Sequence, residues 1–436
     1  MFKDKNVAFY TLGCKLNFSE TSTISRQLTD IGFNKTKFND GADLFVINTC
    51  SVTENANKEC KRIIKKAKSI SPSSYIVVTG CFAQLKPKSI SEIEGVDMVL
   101  GANDKFNLPK LLKDIDNSNQ VEIHGCSIDN LNYHSSFSLN DRTRSFLKIQ
   151  DGCDYTCSYC TIPLARGKSR CDTIENIVSN ARKIAKNNIK EIVITGVNIG
   201  DFKEGKLRFI DLIKKLDKVH GIERFRISSI EPNLITDEII DFVKLSKKFM
   251  PHFHIPLQSG SDKILGKMKR RYNTNLYYNK IYKIKKEIPN VCIGADVIVG
   301  FPGETDLEFN STMNFIKELP LSYLHVFSYS ERENTEAILL NGYVEKHKRS
   351  ERSKALRIMS SKLQRLFYQN YEKTYQNALF EQENKDGYLH GFTDNYIKIK
   401  VPYNQNLLKT TKEVFLSEID NNLIMNAKIK ELCIQQ

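Results

Sequence analysis

The first 81 residues of the chain repeat one pattern, in which a short apolar run is followed by a segment with helical spacing of its apolar residues. The apolar runs cover residues 7–14, 42–50 and 75–81, and the helix-like segments lie near 18–32 and 54–69. Near-continuous apolar strands separated by helices are typical of a parallel sheet covered on both faces. We therefore predict an N-terminal parallel α/β domain over residues 1–115.

A polar linker rich in Asn and Ser follows at about 115–140, and the strand–helix alternation then resumes. The predicted strands of this second part lie near 145–151, 191–197, 225–230, 253–259, 294–301 and 323–330. Six strand–helix units close into a barrel or partial barrel, whose chemistry sits at the carboxyl ends of the strands. We predict such a partial (βα)6 barrel within residues 139–370.

The last part of the chain has a different pattern. A long basic helix is predicted over about 345–373, and short alternating runs such as 396–401 follow it. The sequences Asn384-Lys385-Asp386-Gly387 and Thr393-Asp394-Asn395 indicate hairpin turns between these runs. Residues 371–436 are therefore predicted to form a small β-barrel of the OB-like kind, a fold that often binds RNA.

Each of the three N-terminal apolar runs ends in a cysteine, namely Cys14, Cys50 and Cys81. Any one of them alone is most simply a small buried hydrophobe, because free cysteine is among the most buried residue types. The carboxyl ends of parallel strands lie on one edge of a sheet, where ligands usually bind. Three thiols at three such ends are therefore expected to converge.

A second group, Cys153, Cys157 and Cys160, follows the first predicted barrel strand with the spacing C-x-x-x-C-x-x-C. Three closely spaced thiolates can hold an iron–sulfur cluster that normally takes four, which leaves one iron open to a small molecule. By analogy with catalytic zinc sites, an open coordination position indicates chemistry rather than scaffolding. The alternative is a structural zinc site that takes Cys171 as its fourth ligand.

Composition and charge narrow the class of partner. The 436 residues are 40% hydrophobic and 27% charged, as in ordinary globular proteins, and carry a formal net charge of +14. Basic residues concentrate in segments 58–68, 261–272 and 341–370. Such a surface favours a polyanionic partner through counterion release from phosphates, and a merely soluble basic protein is the alternative. Residues 371–436 hold eight basic and nine acidic side chains, so RNA binding there would need uncharged contacts or the neighbouring helix.

The sequence contains no run of ~18 apolar residues, and its start, Met-Phe-Lys-Asp-Lys, lacks the apolar core of an export signal. We therefore expect no membrane partner and a cytoplasmic location. Because the cytosol keeps thiols reduced, the 11 cysteines favour metal binding or catalysis over disulfides. The cysteines outside the two groups are interpreted as packing residues, namely Cys60, Cys126, Cys171, Cys292 and Cys433.

The loop from Cys153 to Cys160 resembles that of the radical S-adenosylmethionine superfamily. Its continuation, Thr161-Ile162-Pro163-Leu164-Ala165-Arg166-Gly167, is similar to the methylthiotransferase branch, whose N-terminal domain resembles segments 11–17, 47–52 and 79–84. Segments 228–232, 254–261 and 294–305, which end predicted barrel strands, support the same branch. Each of these three is also explained singly as a tight strand-to-helix turn that needs Gly and Pro. No role is assigned to His254.

The resemblance implies three domains, the last a TRAM-type β-barrel, and a distinct set of cofactors. A 4Fe–4S cluster on Cys153, Cys157 and Cys160 would bind S-adenosylmethionine and start the radical reaction. A second 4Fe–4S cluster on Cys14, Cys50 and Cys81 would carry the sulfur. Residues expected to contact S-adenosylmethionine, from the family and from their places at strand ends, are Tyr159, Gly196, Ser229, Gln258 and Gly300.

Within the branch, segments 12–17 and 228–232 look most like the type that acts on tRNA threonylcarbamoyladenosine. This implies transfer of a methylthio group to C2 of that adenosine at position 37, in the anticodon loop, with an electron donor as a further partner. Isopentenyladenosine in tRNA, a ribosomal protein aspartate, and a non-catalytic metal-containing RNA-binding protein remain alternatives. One departure is Arg332-Glu333-Asn334-Thr335, which stands where that type usually has Arg-Pro-Gly-Thr.

Overall fold

The structure, a computed structural model, describes residues 2–50, 54–113, 121–128 and 131–430, with the backbone alone for residues 54–57. Its first part is a sheet of six parallel strands in the order β2-β1-β3-β4-β5-β6. The strands are β1 (Asn6–Thr11), β2 (Asn34–Lys35), β3 (Leu44–Thr49), β4 (Tyr75–Gly80), β5 (Met98–Leu100) and β6 (Glu122–His124). The helices are α1 (Lys15–Asp30), α2 (Glu54–Ile70), α3 (Cys81–Leu85), α4 (Pro87–Ser91) and α5 (Leu108–Leu111).

Both faces of this first sheet are covered, as the apolar runs predicted. Phe45 and Ile76 pack in one hydrophobic core, and Val46 and Val77 pack in a second core. Successive strand residues point to opposite faces, so a strand buried on both sides has to be apolar at every position. The parallel α/β class is therefore confirmed, and the sheet runs on to β6, beyond the predicted boundary at residue 115.

The second part contains the predicted partial barrel. Its strands are β7 (Arg144–Lys148), β8 (Gln150–Asp151), β9 (Arg170–Cys171), β10 (Glu191–Thr195), β11 (Lys203–Glu204), β12 (Leu207–Arg208), β13 (Arg224–Ile227), β14 (His252–His254), β15 (Cys292–Val299) and β16 (Tyr323–Ser328). Its helices are α6 (Ile162–Arg166), α7 (Ile174–Ala185), α8 (Phe209–Leu216), α9 (Asp237–Leu245), α10 (Asp262–Lys267), α11 (Thr274–Glu287), α12 (Asp306–Glu318) and α13 (Lys346–Gln369).

Six parallel strands form the barrel wall, in two groups. Strands β7, β10 and β13 pair side by side, as do β14, β15 and β16, and parallel bridges such as Ser229 to His254 join the groups. Among the described strands no pairing joins β7 to β16, so the wall stays open there. Helix α1 of the first part packs beside this opening, with the rings of Phe18 and Phe146 6.2 Å apart.

The C-terminal part is a closed five-stranded barrel in the order β17-β18-β19-β21-β20. Its strands are β17 (Tyr375–Lys385), β18 (Tyr388–Thr393), β19 (Lys398–Pro402), β20 (Thr411–Ile419) and β21 (Met425–Ile429). Asp386 and Gly387 both have positive φ, 54° and 80°, in the hairpin turn between β17 and β18 that the sequence predicted. The small β-barrel is thus confirmed.

This small barrel packs against the amino-terminal ends of the partial barrel's strands. Arg224 donates hydrogen bonds to the carbonyl oxygens of Phe392 and Asn377, at 3.0 Å each. The Arg226 guanidinium lies 4.7 Å from the centre of the Tyr396 ring. One end of the partial barrel is therefore covered by protein. No helix in the described ranges is both long and apolar enough to cross a bilayer.

Candidate active site

The first thiol group lies at the carboxyl ends of three neighbouring strands. Cys14 follows β1, Cys50 follows β3 and Cys81 follows β4, and these strands are adjacent in the sheet. Cys14 is exposed, whereas Cys50 and Cys81 are buried. Cys14 is also the N-cap residue of α1, and burial raises the pKa of its thiol, although the charge of Arg166 opposes this shift. The predicted convergence of these strand ends is present.

Two glycines allow these strand ends to approach each other. A Cβ on Gly13 would lie 2.8 Å from the Cβ of Cys50, and one on Gly80 would lie 2.3 Å from the carbonyl oxygen of Thr49. Both glycines also have strongly positive φ, 101° and 99°. A side chain at either position would therefore meet both steric overlap and backbone strain, so only glycine fits directly before Cys14 and Cys81.

The second thiol group opens into a cavity. Cys153, Cys157 and Cys160 line a space of about 350 Å³ at the carboxyl ends of the partial barrel's strands. Val197, Asn198, Asp296, Ser328 and residues near them complete its wall. The cavity lies where the barrel prediction placed the chemistry, because loops after the strands meet at that end.

Hydrogen bonds to the cysteine sulfurs suit this loop to bind a metal cluster through its thiolates. The backbone N–H of Tyr155 donates to the sulfur of Cys153 at 3.4 Å, and a guanidinium N–H of Arg270 donates to that of Cys157 at 3.0 Å. Burial raises the pKa of Cys153 to about 11 and that of Cys160 to about 12. Free thiols here are protonated at neutral pH, so metal binding would release protons. The donor set suits an iron–sulfur cluster, whose sulfurs accept such hydrogen bonds.

A buried ionic network joins the two thiol groups. Arg166 donates to Glu20 and Asp151 at 3.0 Å each, and to the amide oxygen of Asn17 at 2.7 Å. Lys105 lies 2.7 Å from Glu20 and completes the network around that carboxylate. Asn17 and Glu20 belong to the helix that begins after Cys14, whereas Asp151 and Arg166 flank the Cys153–Cys160 loop. Arg166 therefore fixes the position of one thiol group relative to the other.

The five residues predicted to contact S-adenosylmethionine fall into three sets according to their distance from the cavity. Tyr159 and Gln258 line the cavity with the three cysteines. Gly196 packs on Gln150, beside the lining residues Val197 and Asn198. The other two lie in the turns that follow strands: Ser229 bridges to His254, and Gly300 donates its N–H to Glu304 at 2.7 Å. All five contacts stay predictions.

The structure adds site residues that the sequence did not identify. Arg270 contacts Cys157 and forms an ion pair with Glu231, and both charged residues line the cavity. Arg270 lies in the basic segment 261–272, which the charge pattern indicated as part of a surface for a polyanionic partner. Glu231 lies inside segment 228–232, whose sequence indicates the family but no role for this carboxylate. The charge of each residue within its segment was the only signal in the sequence. It could not show that Arg270 contacts Cys157, because the sequence gives no distances.

The loop that departs from the family pattern keeps a tight turn. Asn334 has a φ of 62°, a left-handed conformation that asparagine tolerates better than most residues. Thr335 donates its hydroxyl to the carbonyl of Arg332 at 2.6 Å. Just beyond the turn, the N–H of Ala337 donates to the carbonyl of Ser158 at 2.8 Å. The changed loop therefore still supports the Cys153–Cys160 loop.

Comparisons with known proteins agree with this geometry. Residues 6–101 match the uncharacterized protein family UPF0004, and residues 147–316 match the radical SAM superfamily. The threonylcarbamoyladenosine tRNA methylthiotransferase MtaB of Bacillus subtilis is 39% identical over 406 residues, covering 90% of this chain and 89% of the relative. The chain belongs to the radical S-adenosylmethionine methylthiotransferase family. As a member of it, the chain uses S-adenosylmethionine and two 4Fe–4S clusters.

Other relatives and a solved structure define how far the similarity extends. The MtaB methylthiotransferase of Rickettsia prowazekii is 36% identical over 395 residues, 90% of each chain. The tRNA-2-methylthio-N(6)-dimethylallyladenosine synthase of Clostridium tetani is 32% identical over 392 residues, 86% of this methylthiotransferase and 85% of the relative. A structure of the radical S-adenosylmethionine methyltransferase TsrM from Kitasatospora setae shares the fold, with a TM-score of 0.55 and 14% identity over 74% of this chain and 75% of that one.

Proposed function

We propose that this methylthiotransferase adds a methylthio group to C2 of N6-threonylcarbamoyladenosine at position 37 of tRNA. The proposal rests on one structural observation: Arg166 ties the Cys14 helix to the Cys153–Cys160 loop, so both thiol groups border one interface. The relatives with the highest identities reported above carry this activity in their names. The proposed domains are 139–370 and 371–436, together with a first domain, predicted as 1–115, that is extended to include β6 at Glu122–His124.

The cofactors would supply the one-electron chemistry, the sulfur and the methyl group, and the chain would hold and orient them. Cys153, Cys157 and Cys160 are the proposed ligands of one cluster, and Cys14, Cys50 and Cys81 those of the other. Tyr159 and Gln258 border the space in which S-adenosylmethionine would bind. Arg270 donates toward the Cys157 sulfur, where its positive charge would stabilise a more reduced, more negative cluster.

A basic groove beside the cavity suits the anticodon loop. A cavity of about 580 Å³ runs along α13, where Lys346, Lys354 and Arg357 are exposed on its wall. It shares the segment 328–330 with the cysteine-lined cavity, so the two spaces adjoin. Unpaired loop bases can splay out into a pocket while their phosphates stay on a basic surface. We place the anticodon-loop phosphates in this groove and on α2.

Two arginines of the same helix serve a different purpose. Arg349 and Arg352 are buried and pair with Glu331 at 2.5 Å and Glu304 at 3.0 Å. They fix α13 against the turns that follow β15 and β16. The phosphate-binding part of segment 341–370 is therefore its exposed face. An electron donor is a further proposed partner.

The alternatives are less well supported. The dimethylallyladenosine-type relative is lower in identity and in coverage than the threonylcarbamoyladenosine-type relatives. A non-catalytic RNA-binding protein would not need the buried network that joins the two thiol groups. The match to the radical SAM superfamily likewise favours an enzyme.

The test is a nucleoside digest. Protein reconstituted anaerobically with iron and sulfide is incubated with S-adenosylmethionine, a reductant and tRNA that carries threonylcarbamoyladenosine, and the nucleosides are analysed by mass spectrometry. The expected product is the 2-methylthio derivative, formed together with 5′-deoxyadenosine and absent with Cys153→Ala. Methylthiolation of dimethylallyladenosine tRNA or of a ribosomal protein, with none on this substrate, would contradict the proposal.

A further inference from the structure

An exposed apolar ridge lies beside the Cys153–Cys160 loop. It is segment 336–343, which follows the turn after β16 and whose exposed apolar side chains are Ile338, Leu339, Leu340 and Tyr343. Leu339 is 83% exposed, the highest value among the large apolar side chains that the structure describes. Single exposed apolar residues are ordinary, whereas several together on one short segment are typical of an interaction site.

Hydrogen bonds attach the ridge to the residue that follows a proposed cluster ligand. The N–H of Ala337 donates to the carbonyl of Ser158 at 2.8 Å, and Ser158 directly follows Cys157. The N–H of Ser158 donates to the carbonyl of Met268 at 3.2 Å, and its hydroxyl donates to that of Lys267 at 2.8 Å. The backbone of the ridge is therefore one hydrogen bond away from the cluster loop.

Cations of α10 and of the turn after it border the ridge. Lys269 forms an ion pair with Glu336, the first residue of the ridge. A Cβ on Gly303 would lie 2.1 Å from the ammonium nitrogen of Lys267, and Gly303 donates its N–H to the carbonyl of Gly342 at 2.6 Å. Lys267 therefore lies beside the far end of the ridge, and the apolar side chains have a positive charge near each end.

The ridge fits a protein partner better than it fits tRNA. The cysteine-lined cavity takes residues of this region up to Arg332, and the basic groove takes residues from Lys346 onward, so the ridge stands between them. Unpaired bases bind by stacking on aromatic or guanidinium planes, which aliphatic side chains do not offer. Tyr343 is the aromatic member, and the Arg349 guanidinium already lies 4.9 Å from the centre of its ring. An apolar centre with a polar rim is instead the pattern of a protein–protein interface.

We propose that the apolar ridge, with Lys267 and Lys269 at its border, is the docking surface for an acidic protein that carries one electron. This inference rests on the proposed function, because it names the partner that reduces the cluster of the Cys153–Cys160 loop. In the transfer the carrier is oxidised by one electron and the cluster is reduced by one, and no bond forms or breaks between the two proteins. The carrier has to approach this loop, because the cluster needs the electron before S-adenosylmethionine is cleaved.

The charge of this surface favours an acidic carrier. Segment 261–272 holds five basic residues and one acidic residue, and the whole chain carries a net charge of +14. Complementary charge speeds the encounter of two proteins, and apolar contact at the centre then holds the complex. Electron-transfer complexes typically bury less than about 1,200 Å² in total, which suits a patch of four apolar side chains with a charged border.

The experiment uses the reconstituted holoenzyme and photoreduced flavodoxin, an acidic protein that carries one electron on its flavin. Stopped-flow absorbance gives the rate of cluster reduction, and calorimetry with oxidised flavodoxin gives the Kd of the complex. Leu339→Glu is expected to raise Kd about 10-fold and to slow the reduction by a similar factor, because it replaces apolar contact with a charge that repels the carrier. The double variant Lys267→Gln, Lys269→Gln is expected to slow association and to flatten its dependence on salt concentration.

Leu245→Glu is the matched control. Leu245 is 80% exposed at the end of α9, which leads back to the amino-terminal end of the barrel, away from the ridge. This variant should keep the Kd and the reduction rate of the parent. Dithionite is a small reductant that needs no docking surface, so it should reduce the parent and Leu339→Glu proteins at the same rate.

Each outcome has a defined meaning. If flavodoxin reduces Leu339→Glu as fast as the parent, the docking surface is wrong and the proposed function stands. If Leu339→Glu instead raises KM for tRNA with dithionite as the reductant, and flavodoxin binding is unchanged, the ridge belongs to the tRNA and the inference is overturned. If flavodoxin binding depends on Leu339 as expected but threonylcarbamoyladenosine tRNA is not modified, the docking surface stands and the proposed function fails.

Discussion

Replacement of Arg166 by Gln tests whether the buried network holds the two thiol groups together. Arg166 makes four hydrogen bonds, two of them to Glu20, one to Asp151 and one to Asn17. The side chain of Arg166 is 4% exposed and that of Glu20 is fully buried. Gln can replace at most part of these contacts and carries no charge. The substitution therefore leaves two buried carboxylates with less positive charge around them.

The loss in free energy of unfolding can be estimated from the pKa of the buried Glu20 carboxylate. Burial would raise the pKa of Glu20, but Arg166, then Lys105 and Lys148, lower it from 4.5 to about 2. Each pKa unit corresponds to ~1.36 kcal/mol, so the ionisation of Glu20, net of its burial, stabilises the folded state by about 3 kcal/mol at neutral pH. Removing one partner of a buried ion pair typically costs ~3–5 kcal/mol, which agrees. We expect Arg166→Gln to lower the free energy of unfolding by about 3 kcal/mol at pH 7.

The pH dependence gives an independent check. Since the pKa of Glu20 is lower in the folded state, its contribution is full above about pH 4.5 and is lost as the pH falls toward 2. The difference between parent and variant should therefore shrink in acid. Arg170→Gln is the comparison variant, because Arg170 approaches the Asp151 carboxylate only to 3.4 Å and donates otherwise to the backbone carbonyls of Asn132, Arg166 and Lys168.

The assay is urea unfolding of the metal-free protein at pH 7 and pH 3, followed by iron analysis after reconstitution. Arg170→Gln should cost less than Arg166→Gln, because Arg170 forms only a long ion pair with one of the two buried carboxylates. We also expect Arg166→Gln to retain 5′-deoxyadenosine formation better than methylthio transfer. Only methylthio transfer needs the two thiol groups in a fixed relative position. A variant within about 0.5 kcal/mol of the parent at pH 7, with unchanged transfer, would refute the role given to Arg166.

Three further substitutions test other parts of the site. The double variant Lys61→Gln, Lys65→Gln removes two exposed charges of α2. It should weaken tRNA binding and reduce the slope of the logarithm of the tRNA binding constant against the logarithm of salt concentration by about 1.5. An unchanged slope would mean that the phosphates lie elsewhere. Gly80→Ala should lower the melting temperature and halve the iron bound, because the added Cβ would overlap the Thr49 carbonyl. Gly266→Ala is the control and should be neutral, since open space surrounds that position. Equal iron content in the two variants would contradict the packing argument. Arg270→Met should make the reduction potential of the Cys153–Cys160 cluster more negative, because it removes the hydrogen bond and positive charge at the Cys157 sulfur. Redox titration followed by electron paramagnetic resonance measures this potential. An unchanged potential would show that Arg270 does not act on Cys157.

Elements that depend on local pattern were predictable from the sequence. The apolar run at 75–80 became β4, and the predicted helix at 345–373 became α13, at Lys346–Gln369. The short strands β2, β5 and β6 were not predicted, because two or three residues carry too little periodicity to be distinguished from loops. The hairpin turn at Asp386–Gly387 was predictable, since its residue types are those that adopt positive φ.

The chemistry of the site divides in the same way. The spacing of Cys153, Cys157 and Cys160 within one loop could be recognised directly. Arg270 could not, because a basic residue 113 positions from Cys157 looks like any other member of a charged segment. The same holds for His325, whose pairing with Asp296 depends on strand register rather than on sequence spacing.

The sequence alone determined which elements form and which residue types stand at their ends, because hydrophobic periodicity, turn residues and cysteine spacing act over a few positions. Only the tertiary structure decided which of those ends face each other. Arg166 meets Glu20 across 146 positions, and Arg224 meets the carbonyl of Phe392 across 168 positions. Such neighbours are set by the packing of whole layers, where burial and charge compensation act between residues that no local pattern connects.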